Sequence, residues 1–206
     1  MFASKTLSRG CSRFLTTRSG LLGGMDEKHF KLIVENGTPF SNDNQKYEYV
    51  SCSTKGDCRV RLPFQKNFIG NVALPAIHGG VISSLIDHCA GFGAWSLLPN
   101  ISSRVSTQDL HVSFLSAGPA EDIIAAAQLV NEGKRIIVMD VKVYAEANPD
   151  KLIAVGRGTF YRMNASEDKP EDIIIFNNWL KSLELKSKER EEEKRIYREE
   201  EKRKSK

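Results

Sequence analysis

The chain contains little that would cross-link it or anchor it in a membrane. Its 206 residues include four cysteines, Cys11, Cys52, Cys58 and Cys89. They form no CxxC pair and lack the spacing of a disulfide framework, so a reducing compartment is expected. No apolar run reaches the roughly 18 uncharged residues of a membrane-spanning helix, because Asp87 and His88 interrupt the best candidate. The chain therefore reads as soluble, with no membrane span. Histidine is also scarce, at four residues. His78, His88 and His111 lack the short ligand spacings of a zinc site, so neither a metal nor a cofactor is expected.

Acid is missing from one end. Residues 1–25 carry Lys5, Arg9, Arg13 and Arg18 with no Asp or Glu, and are rich in Ser and Thr without a secretory apolar core. This composition reads as a mitochondrial or plastid transit peptide over residues 1–24. The alternative is a plain basic terminus on a cytoplasmic protein. Residues 181–206 hold eleven Lys or Arg against eight acids, so the overall charge of +4 leaves residues 26–180 at −3. A mildly acidic centre argues against nucleic acid as a partner.

The rest divides into a domain over residues 25–165 and a charged extension over 166–206. In "MDEKHFKLIVENGTPF", Asp26 and Glu27 favour a helix start, Phe30, Ile33 and Val34 share a face, and Gly37 and Pro39 stop it. Runs at 47–53 and 58–64 flanking "TKGD" predict a hairpin. In "HGGVISSLIDHCAGFGAW" (78–95), Val81, Leu85, Ile86, Cys89, Phe92 and Trp95 recur at helical spacing, predicting a largely buried helix. Strand-like runs follow at 104–115, 122–131, 134–147 and 151–163, with turns at "SAGPAE", "NEGK" and "NPD". The expected class is α+β, an antiparallel sheet wrapped around one long helix. The extension begins with an apolar patch, "IIIFNNWL", suited to docking, and ends in mixed charges compatible with a solvated helix or disorder.

The long helix carries the candidate chemistry. Near Gly79 its first N–H groups lack helical acceptors and glycine admits close approach, so this end can hold a developing oxyanion. Asp87 is a carboxylate in an apolar helix, costly unless paired or wetted. Its neighbours Ser83, Ser84, Ala90 and Gly91 are all small, so another group can approach. The plain alternative is that Asp87 and His88 mark the helix's one wet edge. Eight residues separate Gly79 from Asp87, roughly 12 Å along the axis, so the two cannot serve one carbonyl within one chain. Two copies packed with these helices antiparallel could join Gly79 of one to Asp87 of the other. In the following strand, Thr107, Asp109 and His111 are expected on one side and Leu110, Val112 and Phe114 on the other. A hydroxyl at Thr107 could orient a water.

These segments, with "STQDLHVSFLSAG", "NEGKRIIVMDVKVY" and "AVGRGTFYRM", resemble the hotdog-fold thioesterases of the PaaI branch, which includes small mitochondrial acyl-CoA thioesterases. The resemblance spans about residues 45–163. It implies hydrolysis of an acyl-CoA to a free acid and CoA in a site shared across a homodimer, either alone or as a dimer of dimers. It places the base or nucleophile at Asp87, the carbonyl-polarising N–H at Gly79 with His78 supporting the turn, and a water-holding hydroxyl at Thr107 with Asp109 beside it. Many members carry Asn or Gln six residues before the histidine. Here Val72 stands there and Asn71 one place earlier, which makes Asn71 a candidate. Lys134 and Arg135 are candidates for the CoA phosphates, and Arg104 a weaker one. A hotdog hydratase fits less well, because Asp87 and His88 are adjacent and point about 100° apart on a helix. A non-catalytic acyl-CoA-binding adaptor is the remaining alternative.

Overall fold

The computed structural model describes residues 24–38, 44–73, 75–163 and 169–204. Most of the expected leader, 1–23, lies outside them. The first helix, α1 (Glu27–Asn36), starts where Asp26 accepts the His29 N–H at 2.9 Å, with Glu27 in the first turn facing the positive end of the helix dipole. Phe30, Ile33 and Val34 are buried, and the Gly37 N–H closes the helix on the Ile33 carbonyl. The hairpin pairs β1 (Glu48–Cys52) with β2 (Cys58–Leu62).

A short turn of 3-10 helix (Lys66–Phe68) leads into a two-stranded ribbon, β3 (Ile69–Asn71) and β4 (Ala76–Ile77), then α2 (Gly79–Ser96). Four long strands follow: β5 (Arg104–Phe114), β6 (Ile123–Glu132), β7 (Ile136–Ala145) and β8 (Asn148–Met163). They join the hairpin in one antiparallel sheet of order β1-β2-β6-β7-β8-β5, so β5 is an edge strand although it directly follows α2.

α2 fills the inner face of this sheet. Leu85, Ile86, Cys89, Ala90 and Ala94 are fully buried, opposite Val60, Leu62, Ala125, Met139 and Phe160. Each large aliphatic side chain so buried contributes about 1.5–3 kcal/mol. The helix lies too close to β8 for any side chain at Gly156, where a Cβ would come within 2.6 Å of Ile86 Cγ2. On β7, Ile137, Met139, Val141 and Val143 point inward as the alternation predicts. Arg61 on β2 ties the hairpin to the sheet, binding Glu48 at 2.5 Å, Glu146 at 2.8 Å, and Asp122.

The β7–β8 joint differs from expectation. The turn is made by Glu146 and Ala147, and "NPD" already belongs to β8. Pro149, Asp150 and Lys151 bulge between the Ala145–Asn148 and Tyr144–Leu152 pairs, where proline's missing N–H breaks no ladder bond.

The charged extension forms α3 (Pro170–Lys204), with proline first and Glu171 and Asp172 in the opening turn. Phe176, Leu180 and Leu183 form a buried stripe as α3 packs on α1. Lys28 meets Glu184 at 3.5 Å, and Arg190 donates to Asn36 Oδ1 at 3.0 Å.

Candidate active site

The start of α2 is built by the β3–β4 ribbon. His78 donates its backbone N–H to the Phe68 carbonyl at 2.8 Å, and its imidazole Nδ1 accepts the Gly80 N–H at 2.9 Å. A nitrogen that accepts must carry the lone pair, so the neutral ring holds its proton on Nε2. His78 is thus the cap of α2, with ψ of 136°. Gly70 makes room for it: a Cβ there would lie 2.8 Å from three His78 carbons. The Gly79 N–H is left at the helix mouth without an acceptor among the described residues, with the Phe114 ring beside it. Asn71 sits at the exposed ribbon tip, where its Oδ1 accepts the Ala73 N–H at 3.0 Å in an Asx turn.

Asp87 lies two turns farther along, half-buried, and accepts the Thr107 hydroxyl on Oδ1 at 3.0 Å. A backbone irregularity makes this contact. Thr107 pairs with Phe160 and Asp109 with Thr159, so Gln108 is bulged out of register. The bulge reverses the alternation expected for β5: Thr107 joins Leu110, Val112 and Phe114 on the face toward α2. Asp109 turns to the outer face with His111 and is not beside Thr107 in the site. Ser84, one turn before Asp87, spends its hydroxyl on the Gly80 carbonyl at 2.8 Å.

His88 is not on a wet edge. Its ring stacks on Tyr47 at 4.0 Å, lies 4.7 Å from Phe92, and meets the Val34 carbonyl at 3.2 Å. Some of its surface still borders the cavity described below, but protein packed around the imidazole pushes its pKa down to about 4, against a smaller opposing effect of the Val34 carbonyl. Burial, with a lesser effect of the Asp87 charge, likewise raises the Tyr47 phenol well above its ordinary value. The Tyr47 hydroxyl is buried and has no partner among the described residues.

Asp87 and Thr107 open onto a cavity of about 770 Å³ between α2, the start of β5, α1 and the beginning of α3. Its walls are mainly apolar and aromatic, including Phe92, Trp95, Phe160, Phe176 and Trp179. This is the size and character of a small-molecule site. Lys134 and Arg135 lie in the β6–β7 turn, at the end of the sheet where Ile137, Phe160 and Thr107 share one row. Among the described residues, no group of three His, Cys, Asp or Glu is placed to hold a metal ion, and no helix is long and apolar enough to cross a membrane.

The sequence suggests that the patch docks on the domain but not that α3 lines the cavity; the signal is the i, i+4, i+7 spacing of Phe176, Leu180 and Leu183, which carries one apolar face from the patch into the charged stretch. Tyr47 carried no comparable signal, because its stacking on His88 arises only from the fold.

The thioesterase superfamily model matches residues 74–150, from β4 through α2 and β5–β7 into β8. A Halobacterium salinarum protein that bears the provisional name of an esterase is 34% identical over 119 residues, covering 54% of this chain and 77% of that protein. The medium/long-chain acyl-CoA thioesterase YigI of Escherichia coli K12 is 32% identical over 94 residues, 40% of this chain and 61% of its own length. A solved thioesterase family protein from Silicibacter pomeroyi superposes with a TM-score of 0.58 at 19% identity, over 66% of this chain and 99% of that one. One long helix held inside an antiparallel sheet, matched in both sequence and fold, places this chain in the thioesterase superfamily, with its α+β hotdog fold.

Proposed function

We propose that the protein is an acyl-CoA thioesterase acting as a homodimer. The observation that carries this reading is a carboxylate, Asp87, held by the Thr107 hydroxyl at the edge of a largely apolar cavity. Asp87 takes a proton from a water that Thr107 helps to place, and the water oxygen attacks the thioester carbonyl. The oxyanion is held by the Gly79 N–H of the second protomer, because within one chain Gly79 stands roughly 12 Å away along α2. As the carbon–sulfur bond breaks, the proton passes to the leaving sulfur, giving CoA thiol and the free acid. The open outer edge of β5, with Phe114 and Leu115 more than half exposed beside the start of α2, supports a two-fold neighbour on that side.

Lys134 and Arg135, exposed in the β6–β7 turn, serve the CoA phosphates, and Asn71 positions the ribbon that carries His78. The relative named for medium- and long-chain acyl-CoA supports this substrate class. The basic, acid-free leader over residues 1–24 directs the protein to mitochondria.

The test is thiol release from short, medium, long and aromatic acyl-CoAs by the full chain and by Asp87→Asn, with the oligomeric state followed by light scattering. Turnover that falls by orders of magnitude in an intact Asp87→Asn oligomer is expected. Saturable acyl-CoA binding with no turnover in either protein would replace the enzyme by a binding adaptor.

A further inference from the structure

The residues matched to the superfamily end at 150, yet the cavity bordered by Asp87 continues onto α3. Asp172, Ile175, Phe176 and Trp179 all line it, and among the described residues none beyond Trp179 does. The helix therefore contributes its first turns to the cavity, while Phe176, Leu180 and Leu183 lock it to the domain. Ile175 is 67% exposed although it lines the cavity, which places it at the mouth, whereas Phe176 is 8% exposed.

Two charged groups in this part of the lining are already engaged. The Asp172 carboxylate accepts the Ser102 hydroxyl at 3.4 Å, and Arg104 donates to the Ser103 carbonyl at 2.9 Å and to the Ile101 carbonyl. Most of what remains open to a ligand is aromatic and aliphatic surface, with the reacting carboxylate at its edge. An apolar chain attached to a carbonyl fits that arrangement, and a polar metabolite does not.

We propose that the opening turns of α3 form a wall of the acyl chamber, and that Ile175 and Trp179 set the preference for acyl-chain length. This inference rests on the thioesterase reading and adds to it a substrate class, aliphatic acyl groups long enough to reach α3. Each methylene that passes from water onto this wall should raise kcat/KM about fourfold, the equivalent of ~0.8 kcal/mol, until the chamber is full.

The experiment measures kcat/KM of the full chain on a ladder of saturated acyl-CoAs from acetyl to palmitoyl, for wild type, Trp179→Ala, Trp179→Phe, Ile175→Lys and Ile175→Leu. The informative quantity is the ratio of lauroyl to acetyl kcat/KM, because damage to the fold lowers both together. The ratio should fall at least about tenfold in Trp179→Ala and Ile175→Lys, and persist in Trp179→Phe and Ile175→Leu. An unchanged ratio overturns the proposal, and so does an equal loss on every substrate.

Absence of thiol release from every acyl-CoA in the wild type would instead overturn the hydrolase reading. The chamber is then judged by fluorescence, since the two tryptophans of the chain, Trp95 and Trp179, both line it. Quenching that deepens with chain length and is lost in Ile175→Lys supports the wall, and quenching independent of chain length overturns it.

Discussion

The Thr107 hydroxyl reaches Asp87 Oδ1 at 3.0 Å because Gln108 is bulged out of β5. Without the bulge, Thr107 would share the outer face with Asp109 and His111, and Asp87 would lose its hydroxyl partner. A hydrogen bond to a charged group is worth about 1.5–3 kcal/mol. Thr107→Val should therefore lower kcat by about ten- to a hundredfold while Thr107→Ser keeps most of it. Steady-state kinetics on one acyl-CoA decides this, and a valine variant with normal kcat removes Thr107 from the mechanism.

The pair at the centre of the site was only half legible in the sequence. Asp87 stood out because a carboxylate in an apolar helical pattern demands a reason, and Gly79 because a helix start leaves N–H groups open. The strand pattern offers Thr107 as a hydroxyl that could orient a water and the resemblance supports that role, but strict alternation cannot see a one-residue bulge and so sets Thr107 beside Asp109 and His111. The same limit hid the Pro149 bulge and moved the β7–β8 turn. His88 looked wet from its position beside Asp87, and only the fold brings Tyr47 and Phe92 against its ring. The order of helix and strands was legible because hydrophobic period is local, whereas the cavity is assembled from α1, α2, β5 and α3, which are distant in the chain.

Tyr47 offers a stability test. Its hydroxyl is buried with no partner among the described residues, and a polar group in that state costs about 1–3 kcal/mol. Tyr47→Phe removes the hydroxyl and keeps the ring that stacks on His88. The variant should melt higher, by about 3 °C for each kcal/mol in a chain of this size. A lower melting temperature would mean that the hydroxyl has a partner in solution, and a simultaneous loss of kcat would place that partner at Asp87.

His88 should make stability fall in mild acid. Its folded pKa is depressed to about 4 by burial, below the ordinary imidazole value of 6.5. As pH falls from 6.5 toward 4, the unfolded chain takes up a proton that the folded chain refuses. The neutral ring's contribution is therefore complete above pH 6.5 and is lost on the way down. The loss should reach about 2 kcal/mol, allowing for the residue's remaining exposure. Urea unfolding at pH 7 and pH 5 should show about half of this loss, ~1 kcal/mol, in wild type and a smaller difference in His88→Phe. Equal pH dependence in the two proteins would mean that His88 is not the titrating group.

The shared site makes a sharper prediction, because two inactive variants should repair each other. Gly79→Pro deletes the N–H proposed to hold the oxyanion at a position that suits proline. It is the first residue of α2, and His78 before it already has the extended ψ of 136° that a following proline demands. Its ring must displace Phe114, whose nearest atom lies 3.1 Å from a Cβ built at Gly79, but Phe114 is 53% exposed and has room to move. Asp87→Asn disables the other half. In a mixed dimer, one site combines both defects, while the other combines the intact Asp87 of one protomer with the intact Gly79 of its neighbour. Random mixing places half of the protomer pairs in mixed dimers with one working site each, so activity should return to about a quarter of wild type. Refolding the two variants together and separately, then measuring thiol release, checks this. If the mixture is no more active than its parts, each site is completed within one chain, and the oxyanion must be held by something other than Gly79.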